Sequence, residues 1–257
     1  KKADSSAMTF NEDLVNSGVA FVAAKTQTPE ENHLELEYER LINIGACQDG
    51  AIWNETLFAL NSKGTGTVYD LKSLAQIGKF TLDGSDVLKP HANSVCFGNT
   101  YYEDGDKYPL LYVSVYNNYQ SSSDRMEGTC CVYRITELDG SFTTQLVQVI
   151  RIGFTEDLAL WKSIADNGDV RPYGNFFVDT DNDKFYAYVM RDSDKTTRFF
   201  GFDIPELSDG VYNDIYGCNL VTLEKTDIKR QFDTVYINYM QGVTYTNGVV
   251  ISAEGFE

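Results

Sequence analysis

Short apolar segments, separated by clusters of turn-forming residues, run along most of this chain. The clearest unit holds four such segments, at residues 51–53, 57–60, 67–71 and 76–82. Segments of this length, bounded by Gly, Asn, Asp and Ser, are typical of strands in all-β domains. The unit is therefore predicted to be one four-stranded antiparallel sheet.

The same unit recurs along the chain at irregular intervals. Further copies are predicted at 94–97, 109–116, 129–136 and 144–152, then at 175–178, 184–190 and 197–203, and finally at 242–245 and 249–252. Four-stranded units that repeat every ~40–50 residues are typical of propeller blades. The predicted fold is an all-β β-propeller of about five blades, within a range of roughly four to six, built from four-stranded antiparallel sheets. Residues 156–164, in an insertion, could form a helical turn.

The two ends of the chain bear on how such a propeller would close. Residues 1–17 are predicted to be a polar N-terminal tether, and residues 18–257 a single propeller domain. Residues 34–39 alternate between apolar and acidic, which indicates a strand with one face in water. Two interpretations of the last, two-stranded copy stay open. Either N-terminal strands complete this blade and cover its exposed edge, or the chain is truncated and further blades follow in a longer precursor.

The chain is strongly acidic, with 38 Asp and Glu against 21 Lys and Arg and a formal net charge of −17. Nucleic acid and anionic membrane surfaces are bound by basic surfaces, so the charge excludes these partners. No apolar run approaches the roughly 18 residues that a membrane-spanning helix needs. The charge favours solubility, and it leaves a cationic partner or a divalent metal open.

The five cysteines do not form a recognisable framework. They are Cys47, Cys96, Cys130, Cys131 and Cys218. An odd number cannot pair completely within one chain, and the spacings match neither zinc sites nor a dense disulfide pattern. Strand alternation places the side chains of two adjacent cysteines on opposite faces of a sheet. Mostly free thiols are therefore predicted.

His91 is the sharpest candidate for chemistry, because it is one of two histidines and precedes the first strand of the second copy. In a propeller, the loops before the innermost strands gather around the central channel. A histidine there could act as a general base, a ligand contact or a metal ligand. The alternative, which is favoured, is that its ring nitrogens bond backbone groups and brace neighbouring blades.

Other polar and aromatic residues precede or flank the first strands of the copies. Such groups around a channel mouth could bind a sugar or a peptide, and exposed aromatic rings stack on sugar faces. The alternative is that the polar groups form hydrogen bonds between blades. Together with the histidine, the candidate ligand-binding residues are His91, Asn93, Gln48, Asp49, Gln241 and Tyr116.

The acidic stretch at residues 179–183 spaces its three carboxylates as calcium loops do. An EF-hand would then require Gly at 184 and Glu at 190, where this chain has Lys184 and Met190. A hairpin turn is therefore favoured over a calcium loop. The chain also has no P-loop, GxSxG, HExxH or GxGxxG motif. No cofactor and no metal site are predicted.

Residues 91–98 (HANSVCFG) and 108–114 (YPLLYVS) resemble a family of bacterial extracytoplasmic propellers. Residues 131–136 and 241–243 fit the same pattern, and the resemblance covers roughly residues 46–257. Members are labelled by analogy with teichoic-acid-biosynthesis protein C or with helveticin-like proteins. The resemblance implies a propeller located outside the cytoplasm, either secreted or tethered to the cell envelope.

Two functional hypotheses follow. The first is a monomeric binding module, whose channel mouth or loop face recognises a glycan, a cell-wall polymer or a protein partner. The second is a hydrolase or lyase acting on an extracellular carbohydrate, with His91 as its acid or base. The absence of a catalytic motif favours the first hypothesis, and whether the chain is an enzyme is left open.

Overall fold

The computed structural model describes residues 47–115, 126, 128–164, 174–236, 240–246 and 248–254. They form sixteen β-strands, one short α-helix, α1 (Ser85–Leu88), and one 3-10 turn (Lys225–Asp227). The prediction of an all-β chain is confirmed. The predicted tether at 1–17 and the predicted strand at 34–39 lie outside the described residues. In the part of the chain that the structure describes, no helix is long and apolar enough to cross a membrane.

The first sheet matches the predicted four-stranded unit. It contains, each antiparallel to the next, β1 (Asp49–Trp53), β2 (Thr56–Leu60), β3 (Thr65–Asp70) and β4 (Gln76–Thr81). The turn between β2 and β3 depends on Asn61, whose side-chain oxygen accepts hydrogen bonds from the amides of Lys63 and Thr65 at 2.9 and 3.0 Å. Gly64, with a φ of 76°, supplies the left-handed conformation that this turn needs. Local turn chemistry therefore sets the register of the hairpin.

The second sheet is larger than predicted. Its antiparallel unit consists of β5 (Val95–Phe97), β6 (Leu111–Ser114), β7 (Thr129–Leu138) and β8 (Ser141–Ile152). Two later strands, β12 (Val211–Asn213) and β13 (Cys218–Leu223), extend it beyond β8. β13 runs parallel to β8. Parallel neighbours are joined by long connections rather than hairpins, so the repeat pattern contained no sign of this extension.

The third sheet has a fourth strand that the sequence did not predict. β9 (Gly174–Asp179), β10 (Lys184–Arg191) and β11 (Thr196–Asp203) are followed in the sheet by β14 (Arg230–Val235). The last pair, β15 (Met240–Thr246) and β16 (Val249–Glu254), is antiparallel as predicted. The insertion at 156–164 contains one helical turn, in which the amide of Trp161 donates to the carbonyl of Asp157 at 2.8 Å.

The first strands of the four sheets lie next to one another. β1 contacts β5, β5 contacts β9, and β9 contacts β15. The starts of these strands share one side, because Asp49 reaches the backbone of Val95, and the hydroxyl of Ser94 donates to the carbonyl of Phe176. Residues that precede or open these four strands are therefore gathered in one region.

Two apolar clusters fill the space between the sheets, and aromatic rings make up much of both. Phe58 of β2 is fully buried and meets Phe142 of β8 edge to face, with 6.0 Å between ring centroids. The first and second sheets therefore share one core. The adjacent Cys130 and Cys131 belong to different clusters, as strand alternation predicts.

The cysteine prediction is confirmed, because all five thiols are free and Cys47 alone among them is exposed. Burial raises the pKa of Cys96 and of Cys131 to about 12, which keeps both as unreactive thiols near neutral pH.

We expect a disulfide reagent such as DTNB to titrate one thiol in the native chain and five after denaturation. Replacing Cys47 with serine should remove the native reaction, and two or more native thiols would contradict the described burial.

Candidate functional site

Three amide side chains from three separate segments meet where the first strands begin. Nε2 of Gln48, just before β1, donates to Oδ1 of Asn93 at 2.9 Å. The same nitrogen lies 3.5 Å from Oε1 of Gln241, in β15. Asn93 is almost fully buried, and the two glutamines are partly buried. The polar residues at the starts of three copies are thus in contact, while their role in ligand binding stays a prediction.

Asp49 adds a carboxylate to this group. Its Oδ2 accepts a hydrogen bond from the amide of Val95 at 2.8 Å, which joins β1 to β5. Gly242 of β15 lies beside the other oxygen, and a Cβ at position 242 would be 3.3 Å from Oδ1. Burial raises the pKa of Asp49 to about 7, although the amides of Gly50 and Val95 hydrogen-bond to the carboxylate and favour its charged form. Gln48, Asp49, Asn93 and Gln241 are called the polar cluster below.

The segment before β5 is fixed by its own hydrogen bonds. Ala92 has a left-handed φ of 57°, and its amide donates to the carbonyl of Ser114 at 3.1 Å. The amide of Ser94 donates to the Ser114 hydroxyl at 3.0 Å, and both serines are buried. The Ser94 hydroxyl in turn bonds the carbonyl of Phe176 in β9. Asn93 is therefore held between two anchored neighbours, which sets the direction of its side chain.

His91 lies two residues before Asn93 and is partly buried. Burial lowers the pKa of its imidazole, so the neutral ring is the main form at neutral pH. A neutral imidazole can accept a proton or a hydrogen bond from a ligand. The sequence interpretations of His91, as a brace or as a ligand contact, both stay predictions.

Replacing His91 with glutamine is expected to change how stability depends on pH. Because the folded state binds a proton at His91 less readily than the unfolded state, wild-type stability should fall as pH drops through the usual histidine range. The variant lacks this loss, so its free energy of unfolding should rise relative to that of wild type between pH 7.5 and pH 5.5. Urea unfolding at the two pH values measures this difference. An advantage that shrinks towards low pH would contradict a depressed pKa.

The aromatic candidates are only partly within the described residues. Tyr116 lies outside them, so its predicted ligand contact is untested. Tyr101 and Tyr102 are 41% and 39% exposed. Tyr101 meets Trp53 edge to face at 6.3 Å, and the guanidinium of Arg134 lies 4.8 Å from the centre of the Tyr102 ring. Both exposed tyrosines therefore have packing partners on the protein itself.

The acidic stretch after β9 forms a hairpin turn, as predicted. Oδ1 of Asp179 accepts hydrogen bonds from the amides of Asp181 and Asn182 at 3.1 and 3.0 Å. Asp183 has a left-handed φ of 52°, which completes the turn into β10. The carboxylate of Asp181 accepts a hydrogen bond from the hydroxyl of Tyr245 at 2.8 Å. Among the described residues, no group of three or more His, Cys, Asp or Glu is arranged to hold a metal ion.

Asn175 is a polar residue whose importance the sequence analysis missed. It lies at the start of β9 and is fully buried, and neither atom of its side-chain amide has a hydrogen-bond partner among the described residues. A buried amide without partners is costly unless water or a ligand atom satisfies it. Asn93 and Gln241 also lie at the starts of first strands. The same position of Asn175 could therefore have identified it from the sequence.

Comparison with known proteins yields little. No protein-family model and no curated protein matches the chain. Hydrazine synthase from Kuenenia stuttgartiensis is similar in structure at 11% identity and a TM-score of 0.36, over 77% of this chain and 40% of that chain. The present chain thus spans less than half the length of that structural neighbour. A likeness at this level leaves both family and function to be argued from the chain itself.

Proposed function

We propose that this chain is a binding propeller, which recognises a glycan, a cell-wall polymer or a protein partner at the face where its first strands begin. The observation that carries the proposal is the contact of Gln48 with Asn93 and Gln241. Three segments far apart in sequence each bring a side-chain amide to one place. Amides offer both donors and acceptors, which suits the hydroxyl groups of a sugar or the backbone of a peptide.

The arrangement of the sheets supports a propeller of about five blades. The first strands β1, β5, β9 and β15 are neighbours. In the first and third sheets, the later strands follow outwards from the first strand in chain order. In such an arrangement, the starts of the first strands surround a common axis. Ligand sites favour concave places with a few convergent polar groups, and the polar cluster meets this description.

A carbohydrate-active hydrolase or lyase is the alternative function. The feature that favours it is the partly buried position of His91, two residues before Asn93, where burial lowers the pKa of the imidazole and leaves its neutral form available as a base. This alternative requires a second group to act as the acid, and Asp49 is a partly buried carboxylate whose raised pKa suits that role.

A panel of bacterial wall polymers and extracellular polysaccharides, assayed for both binding and release of reducing ends, separates the two functions. We expect saturable binding without reducing-end release. Release by wild type that is lost in His91→Ala, with folding retained, would establish the enzyme instead. The absence of binding to every polymer in the panel would contradict the glycan and wall-polymer forms of the proposal.

We also propose that the chain acts outside the cytoplasm, secreted or tethered to the envelope. The support is the resemblance of residues 91–98 and 108–114 to extracytoplasmic propellers. Cell fractionation of the source organism, with antibody detection, tests this location. Recovery of the protein in the cytosolic fraction alone would contradict it.

A further inference from the structure

The last sheet has an open edge in the part of the chain that the structure describes. β15 and β16 pair with each other, and no third described strand belongs to their sheet, whereas the first and third sheets each have four strands. Val249, Val250 and Ile251 of β16 are exposed at 48%, 37% and 44%. An open edge with three consecutive exposed apolar residues is a surface on which another strand can pair.

The segment that leads into β1 arrives beside this sheet. Nε2 of Gln48 lies 3.5 Å from Oε1 of Gln241, near the start of β15. Neighbouring strands are about 4.8 Å apart, so the second of two strands added next to β16 would lie roughly 14 Å from β15. Residues 40–47 span up to about 26 Å when extended. Strands formed by the residues before 40 are therefore within reach of the open edge.

The direction of the chain decides which segment can pair with β16. Because Gln48 lies where β15 begins, a strand that leads into Gln48 runs towards the start of β15. Such a strand is parallel to β16, since β15 and β16 are antiparallel. A segment joined to it by a hairpin runs the opposite way and is antiparallel to β16. Two consecutive strands before residue 48 therefore continue the antiparallel order of the sheet, with the earlier one next to β16.

The sequence before β1 contains two segments with the patterns that these two positions need. Residues 19–24 (VAFVAA) are apolar throughout, which suits a strand covered on both faces. Residues 34–39 (LELEYE) alternate between apolar and acidic, which suits an outer strand with one face in water. The polar residues 25–33 between them contain Pro29, a turn former. The order of the two segments is the order that the chain direction requires.

We propose that residues 19–24 pair with the open edge of β16 and that residues 34–39 form the strand outside them. The last sheet then has four antiparallel strands, and the exposed apolar residues of β16 gain a neighbouring strand. A segment of the same chain is favoured over a second copy as the occupant, because the short link through residues 40–47 gives it a high effective concentration at this edge. The inference is independent of what the polar cluster binds.

Hydrogen exchange of single amides in the full chain, measured by NMR, tests whether the edge is paired. In an antiparallel pair the inter-strand bonds join alternate residues, so every second amide of β16 points away from β15. We expect the outward-pointing amides among residues 249–252 to be protected as well as the inward-pointing ones. Outward-pointing amides that exchange as fast as those of an unpaired chain would overturn the proposal.

Val22→Pro in the full chain identifies the occupant of the edge. Proline cannot donate to a sheet and is excluded from central strands, so the outward-pointing amides of β16 should exchange at least about tenfold faster than in wild type. Ser5→Pro, in the predicted tether, is the matched control and should leave exchange unchanged. Protection in β16 that Val22→Pro does not alter would overturn the proposal, because something other than residues 19–24 would then cover the edge.

A disulfide scan gives a second measurement that does not depend on weakening the fold. Cys47→Ser removes the exposed native thiol, and Val250→Cys is then combined with a cysteine substitution at each of positions 19–24 in turn. Mild oxidation should link position 250 within one chain to one or two of these positions, since a disulfide forms only where the Cα atoms are within about 7 Å. Val211→Cys, at an exposed position of β12, is the control and should form no such link. Disulfides only between two copies, or no link at any position, would overturn the proposal.

Discussion

Replacing Phe58 with alanine is expected to lower the free energy of unfolding by about 3–5 kcal/mol. The ring is fully buried and makes edge-to-face contacts with Phe97 and Tyr108, with centroids 5.3 and 5.0 Å away. It also lies 6.2 Å from Phe80 and 6.0 Å from Phe142. Removing it would open a cavity between the first and second sheets that rigid strands cannot close.

Urea unfolding followed by tryptophan fluorescence measures this loss. Leu138→Ala is the matched control, because Leu138 is 75% exposed at the end of β7. Its change should stay within about 0.5 kcal/mol. A loss below about 1 kcal/mol for Phe58→Ala would mean that the two sheets do not share the core described above.

Replacing Asp49 with asparagine is expected to stabilise the chain, and increasingly so as pH rises. The pKa of Asp49 is about 7 in the folded chain and near 3.8 in the unfolded chain, so the folded state holds its proton more tightly. The stabilisation that comes from this tighter proton binding is therefore fully present below the unfolded pKa. It is lost as the pH rises through the folded pKa. Asparagine keeps an oxygen for the amide of Val95 and carries no charge. The advantage of the variant should grow by about 1–2 kcal/mol between pH 5.5 and pH 8.5.

Urea unfolding at the two pH values gives this difference directly. Asp104→Asn, which removes the same charge from an exposed turn, is the control for charge. An Asp49→Asn advantage that is flat or that falls with rising pH would show that the folded chain does not raise the pKa of Asp49.

The strands that repeat locally could be predicted from the sequence, because adjacent strands in a hairpin need only an apolar run and a turn. β1 to β4 are an example, with Asn61 and Gly64 marking one of the turns. β13 could not be predicted in this way, since its parallel partner β8 lies far away along the chain. β14 was not predicted for a related reason, because a long insertion that contains β12 and β13 separates it from β11.

The same distinction, between local sequence pattern and contacts of distant segments, applies to the candidate site. Gln48, Asn93 and Gln241 were predicted as a group because each stands before or at the start of a first strand. The contact of Asp49 with the backbone of Val95 depends on the distance between two sheets, which no sequence spacing reports. Asn175 was missed because one buried amide at the start of a strand looks like any other strand residue until its lack of partners is seen.

Binding of the strongest polymer from the panel to Gln241→Ala is the most direct test of the polar cluster as the ligand site. Gln241 is the best choice because its hydrogen bond to Gln48 is long, at 3.5 Å, so its removal should cost the fold little. We predict that affinity falls at least about tenfold, while the melting temperature stays within about 3 °C of wild type. Unchanged affinity with a lower melting temperature would contradict the account and would show that the cluster braces the sheets instead.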